Sequence, residues 1–246
     1  MSEAPSRAWL FPYQLVVLVL FTLITLVTEL ICLVTVVWDR RGDTAHRFLK
    51  SWARLCLILT RLDIRVSGLE RVDPTRTYVF MPNHGSFLDI LLALAYIPNN
   101  FRFMILSRLF FNPFLSLALR SSGQLPIDQN SPRQSVRALR CAMDLLERGI
   151  SIVVFPEGTR SRTDELQRFK TMLFVLPTRA GVPVVPVLIN GAFEALRRGS
   201  VRIRPVRLRL TFLEPVVDEA QDLDRSVYAE RVRDALRDAM RRTGGD

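Results

Sequence analysis

The chain has 246 residues, enough for one sizeable domain or for one domain with an appendage. Apolar residues make up 49% of it, which excludes a disordered chain, and a net charge of +10, carried almost wholly by arginine, suits anionic partners. Cys32, Cys56 and Cys141 have neither metal nor redox spacing and read as buried, reduced thiols; with only two histidines and scattered carboxylates, no metal or other cofactor is expected.

In chain order, a short polar lead carrying Arg7 gives way to an apolar stretch from Tyr13 to Trp38, interrupted only by Gln14, Glu29 and several threonines. Crossing a bilayer core takes ~20 residues, so the stretch is long enough. Glu29 is the one ionisable group inside it, a costly placement. Trp9, Tyr13 and Trp38 stand near its ends, as interfacial aromatics do. Its start is too weakly basic, and the stretch too long, for a cleaved signal peptide. Arg40, Arg41, Arg47, Lys50, Arg54, Arg61 and Arg65 follow, and the positive-inside rule then places the rest of the chain in the cytoplasm. From Phe48 to Leu62, Phe48, Trp52, Leu55, Leu59 and Leu62 alternate at helical spacing with Lys50, Arg54 and Arg61. This predicts an amphipathic helix lying on an anionic membrane surface. Residues 1–62 are therefore read as N-terminal membrane-anchoring helices and 63–246 as one domain.

In that domain, short β-rich runs predict strands at 64–69, 78–81, 101–106, 150–154 and 201–212, the last bent at Pro205 and basic on its outer face. Helical patterns cover 109–119, 133–148 (ended by Gly149), 169–180 (closed by Gly181) and 225–242, the last rich in charge and read as solvated. Strands and helices interleave, which argues for an α/β sandwich with a mostly buried sheet flanked by helices.

Two polar turns follow predicted strands, where ligand sites of α/β sheets gather. The first is Asn83-His84-Gly85-Ser86-Phe87-Leu88-Asp89, leading into an apolar helix that runs toward Pro98. Asp89 falls in the first turn of that helix, within reach of His84. An imidazole held by a carboxylate on one nitrogen can take a proton on the other. His46, in an arginine-rich stretch with no partner pattern, is the weaker choice. Taken alone, the His84 match reads equally well as a helix cap. Ser86 is read as a cap rather than a nucleophile. The second turn is Phe155-Pro156-Glu157-Gly158-Thr159-Arg160-Ser161-Arg162. Its guanidinium forks, hydroxyls and glycine suit an anion, whereas Glu157 reads as a residue that ties the loop together.

Together these turns resemble the glycerolipid acyltransferase family. Its first block, N-H-x-S-x-x-D, is matched by Asn83, His84, Ser86 and Asp89. Its third, F-P-E-G-T-R-S, is matched without a gap from Phe155 to Ser161, and Val182 to Val187 resembles its Val/Pro-rich fourth. The chain departs from the pattern twice. The second block has Gln129 where the family has arginine, with Arg133 one helical turn further on. After the third block, Phe169-Lys170-Thr171-Met172 lacks the usual glycine. The resemblance implies a glycerol-3-phosphate acyltransferase-like mixed sheet behind a membrane anchor. It implies transfer of a fatty acyl group from acyl-CoA or acyl-carrier protein, a co-substrate rather than a cofactor, to the free hydroxyl of lysophosphatidic acid. His84 and Asp89 would be catalytic; Glu157, Gly158, Thr159, Arg160, Ser161 and Lys170 would bind substrate. Implied partners are membrane lipid, a lysophospholipid acceptor and an acyl thioester donor, at a bacterial inner membrane, with no nucleic acid expected. Gln129 favours the same chemistry on a different lysolipid or hydroxylated lipid. A non-catalytic basic membrane protein is the remote alternative.

Overall fold

The computed structural model describes residues 7–39, 41–112, 115–128, 130–161, 163, 165–218 and 224–243; Arg40, Pro113, Gln129 and Arg162 lie outside the described residues. Seven strands form one sheet: β1 (Ile64–Ser67), β2 (Val79–Pro82), β3 (Phe101–Leu106), β4 (Leu125–Ile127), β5 (Ser151–Val153), β6 (Val184–Asn190) and β7 (Leu208–Phe212). Their spatial order is β1-β7-β6-β2-β5-β3-β4. Neighbours are parallel except β6 and β7, which run antiparallel, so the sheet is mixed, as the family resemblance implies.

Alternation along the strands splits the interior into two layers. Tyr78 and Phe80 face one layer with Val185 and Val187; Val79 and Met81 face the other with Val184 and Leu188. The first layer is covered by α2 (Asp43–Thr60) and α3 (Leu88–Tyr96), with α1 (Arg7–Thr35) packed on α2. The second is covered by α5 (Pro132–Glu147), α6 (Val175–Ala180) and α8 (Arg225–Thr243). Two short helices, α4 (Ser116–Ser121) and α7 (Ala192–Ala195), complete the set.

Within α1, Leu15–Thr35 has a mean hydropathy of 2.7 and is long and apolar enough to cross a membrane. Its last turns are covered on one side by the rest of the chain. Thr28, Glu29, Cys32 and Thr35 form a buried stripe, while Leu30, Leu33 and Val34 face outward. Glu29 accepts the backbone N–H of Ala118 at 2.9 Å, which satisfies one of the open amides in the first turn of α4. The anomalous carboxylate of the apolar stretch is thus a clasp between the membrane-length helix and the domain.

Several sequence expectations are revised. Two cations expected on the outer, basic side of α2 turn toward the domain instead. Lys50 Nζ donates to the carbonyls of Ile97, Pro98 and Asn99, and Arg54 Nε to that of Ala95. Both cations cap the carbonyl end of α3 and dock the helix on the domain, while Arg47, Phe48, Ser51, Leu55 and Ile58 stay exposed. The strand expected from Val201 begins only at Leu208, because Pro205 cannot donate to a ladder; Leu208 N bonds to Asp63 O at 2.8 Å instead. The helices expected at 109–119 and 169–180 are each broken. The first is a 3₁₀ turn (Ser107–Phe111) followed by α4; the second is a 3₁₀ turn (Thr171–Phe174) followed by α6, with Pro177 in the first turn of α6, where its missing N–H costs little. Finally, α8 is not solvated all round. Tyr228, Ala229, Val232, Leu236 and Ala239 pack into the core, and Arg233, paired with Glu230, is half-buried, while Asp234–Arg237 and Asp238–Arg241 pairs occupy the outer side. A narrow stripe built partly of alanine is easily hidden among such charges.

Candidate active site

Parallel pairing of β2 with β5, Val79 against Ile152 and Phe80 against Val153, brings the two polar turns out of the sheet side by side. Pro82 ends β2 and the chain turns over Asn83. The Asn83 side chain then continues the ladder: Nδ2 donates to Ile189 O at 2.9 Å, and Oδ1 accepts from Ile189 N at 2.7 Å. An amide side chain thus stands in for one more residue pair between β2 and β6, and fixes where His84 begins.

His84 Nδ1 lies 3.0 Å from Asp89 Oδ2. The same oxygen accepts the backbone N–H groups of Gly85 at 2.8 Å and Ser86 at 2.7 Å. Asp89 is in the first turn of α3 and fully buried, so one carboxylate both closes the turn and holds the ring. In a neutral ring, a carboxylate at Nδ1 favours the tautomer with the proton on that nitrogen and the lone pair on Nε2. Nε2 has no hydrogen-bond partner among the described residues. The ring stacks on Phe155, centroids 3.9 Å apart at 19°, and Phe155 in turn stacks on Phe103. Ser86 is buried; its hydroxyl donates to Leu196 O at 2.8 Å and accepts from Leu88 N at 3.3 Å, so its proton is committed elsewhere.

The second turn grips the first through the backbone. Glu157 Oε1 accepts the His84 N–H at 2.7 Å, and Oε2 accepts that of Gln167 at 3.1 Å. Ser161 N donates to His84 O at 2.7 Å. Both backbone polar groups of His84 are thereby held by the Phe155–Ser161 segment. Burial pushes the Glu157 carboxyl up to about 7, against the pull of the two amides. Gly158 has φ 76°, the left-handed region that glycine enters without strain, and this is a reason for glycine there beyond close approach to a ligand. Ser161 Oγ donates to Glu165 O and receives Thr163 N, which makes it a turn former. Thr159 is exposed and Arg160 half-buried, and neither side chain has a polar partner among the described residues. Lys170 N donates to Pro156 O at 2.9 Å, placing this residue at the foot of the same turn; burial lowers its amine pKa.

The structure thus brings His84, Asp89 and the 157–161 segment together at the carboxyl ends of β2 and β5, with Lys170 behind them. Glu157 and Ser161 have their oxygens engaged by the turn, so Thr159 and Arg160 are the parts of it left open to a ligand. Gln129 and Arg162 lie outside the described residues; Arg133 is exposed on the first turn of α5. A cavity of about 710 Å³ lies at the opposite, amino ends of the strands, among Asn100, Arg102, Leu125 and Ile150, away from His84. The stacking of Phe155 and the ladder role of Asn83 were not foreseen. Both residues belong to the quoted blocks, but a block does not say what a ring or an amide touches.

A family model described as Acyltransferase matches residues 63–190. A 1-acyl-sn-glycerol-3-phosphate acyltransferase of Brassica napus (BAT2, chloroplastic) is 32% identical over 190 residues, covering 76% of this chain and 54% of the relative. Its counterpart LPAT1 of Arabidopsis thaliana is 35% identical over 157 residues, 63% of this chain and 44% of the relative. The chain therefore spans about half the length of these curated relatives. Among solved structures, the 1-acyl-sn-glycerophosphate (LPA) acyltransferase PlsC of Thermotoga maritima superposes with a TM-score of 0.75 at 23% identity, over 93% of this chain and 96% of that one, and so shares the fold.

Proposed function

We propose that this chain, which belongs to the Acyltransferase family, transfers a fatty acyl group from a thioester, acyl-CoA or acyl-carrier protein, to the free hydroxyl of lysophosphatidic acid, giving phosphatidic acid. The observation that carries the reading is the His84–Asp89 pair, closed by one carboxylate oxygen and left open at Nε2. Nε2 takes the hydroxyl proton as the acceptor oxygen attacks the thioester carbon. A C–O bond forms, the tetrahedral oxyanion collapses, the C–S bond breaks, and the imidazolium returns its proton to the departing thiolate. No enzyme nucleophile is needed, and the committed Ser86 hydroxyl supplies none. Arg160, with Thr159 and Gly158, binds the acceptor phosphate, with Lys170 adding positive charge from behind. Glu157 and Ser161 serve by shaping that turn. The chain works at the membrane its apolar helix reaches, with its basic domain on the cytoplasmic side.

The test is acyl transfer by membranes carrying the protein, with labelled acyl-CoA and two acceptors in parallel: lysophosphatidic acid and a phosphate-free lysolipid. Product from lysophosphatidic acid, strongly reduced by Arg160→Ala, is expected. Product only from the phosphate-free acceptor would show that Gln129 marks a changed substrate and would overturn the phosphatidate reading.

A further inference from the structure

The segment 197–207, between α7 and β7, has no part in the chemistry above. It holds Arg197, Arg198, Arg202, Arg204 and Arg207, and no acidic residue falls between Glu194 and Glu214. All five arginines are exposed. Arg207 is paired, with Nε 2.7 Å from Asp63. Among the described residues the other four enter no ion pair. At the tip, Gly199-Ser200-Val201, Val201 is 90% exposed.

This loop has a defined shape. Ser200 N donates to Arg197 O at 3.0 Å, Arg202 N to Ser200 Oγ at 3.0 Å, Arg204 N to Ala195 O at 2.8 Å and Val206 N to Arg204 O at 2.9 Å. Its roots, Leu196 and Val206, pack on the core layer that lies under α1, α2 and α3. Leu196 O also receives the Ser86 hydroxyl, two residues from His84. The loop therefore stands on the same side of the sheet as the membrane-length helix and the exposed Phe48, Leu55 and Ile58 of α2, and it is bonded to the turn that carries the catalytic ring.

We propose that the 197–207 loop is a second membrane contact, in which Arg197, Arg198, Arg202 and Arg204 engage the phosphates of anionic lipid headgroups while Val201 enters the interface. Charge complementarity selects an anionic surface. An exposed apolar tip flanked in sequence by exposed arginines selects lipid over an acidic protein. An interface offers apolar contact just beneath the headgroup charges, and the arginine stems can follow it. Together with α1, the loop would hold the His84 turn at headgroup level. The proposal does not rest on the reaction assigned above, and its test reads binding rather than turnover.

The experiment uses the full chain with Val201→Cys carrying an environment-sensitive dye, in a Cys141→Ser background, since Cys32 and Cys56 are buried. The protein is reconstituted into phosphatidylcholine vesicles, with or without one third phosphatidylglycerol. The expected result is a blue-shifted, brighter emission in the anionic vesicles only, quenched by spin-labelled lipid. The shift should be reversed at about 1 M salt, where the screening length falls to about 3 Å. It should disappear when the four arginines are changed to Gln, with acyl transfer in detergent left within about twofold. Identical emission in both vesicle types would overturn the proposal. So would a shift produced in zwitterionic vesicles by an added acidic carrier protein and not by anionic lipid, which would give the surface to a protein partner.

Discussion

The two histidines of this chain make a controlled comparison. His46, in α2, is 1% exposed, lies edge-on against Phe101 with centroids 4.5 Å apart, and neither ring nitrogen has a hydrogen-bond partner among the described residues. Burial, reinforced by the charges of Arg102 and Lys50, pushes its pKa well below 6.5, so it stays neutral. His84 has the same ring but sits at a strand end, with a buried carboxylate on Nδ1, an aromatic face beneath it and Nε2 open. One histidine is packing material and the other a candidate base. What separates them is a carboxylate partner and access, both set by where the backbone turns.

Breaking the carboxylate partner should have the largest effect. Asp89→Asn should lower acyl transfer by about 10²- to 10⁴-fold, the usual worth of an oriented general base. If His84 and Asp89 act as a unit, the double variant should be no worse than the more damaging single one. Additive losses would separate the two residues. Removing the backbone grip comes next. Glu157→Ala leaves the N–H groups of His84 and Gln167 without their acceptor, at a stability cost of about 1–3 kcal/mol, read as a lowered unfolding midpoint together with lost activity.

Acidification should then expose the buried ring of His46. The folded-state pKa of His46 is depressed below its unfolded value, so the unfolded chain binds the extra proton and stability falls as pH drops below about 6.5, by up to about 1.4 kcal/mol per unit. His46→Leu should remove that slope from urea unfolding measured between pH 7.5 and pH 5. Glu157 runs the other way. Its carboxyl is raised to about 7, so its contribution is present below about 4.5 and is lost as pH rises through 7. Phe155→Leu should give the smallest change. Loss of a stacking contact worth about 0.5–1.5 kcal/mol predicts a roughly two- to tenfold drop in transfer with the fold intact.

How much of this was legible in the sequence depends on the range of the interaction. The strand–turn–helix around His84 is local, and Asp89 lies only five residues away, so pattern and helix geometry placed the pair correctly. The Phe155–Ser161 segment was recognisable as a second polar turn at a strand end for the same reason. That its glutamate and serine amide hold the backbone of His84 was not, because parallel pairing of β2 and β5 joins segments more than seventy residues apart. The docking of α2 escaped for the same reason. Lys50 and Arg54 read in sequence as part of a basic outer stripe, and their acceptors are the carbonyls that end α3, more than forty residues on. Glu29 shows the converse, a residue conspicuous in sequence whose partner, Ala118, no local rule could supply.

The most direct test of the central claim sets the two histidines against each other. Acyl transfer to lysophosphatidic acid is measured for His84→Ala and His46→Leu at matched amounts of folded, membrane-bound protein. The expected result is loss of at least about 10²-fold for His84→Ala, with His46→Leu within about twofold of the unaltered chain. Retained transfer by His84→Ala, or equal loss in both variants, would contradict the assignment of His84 as the base.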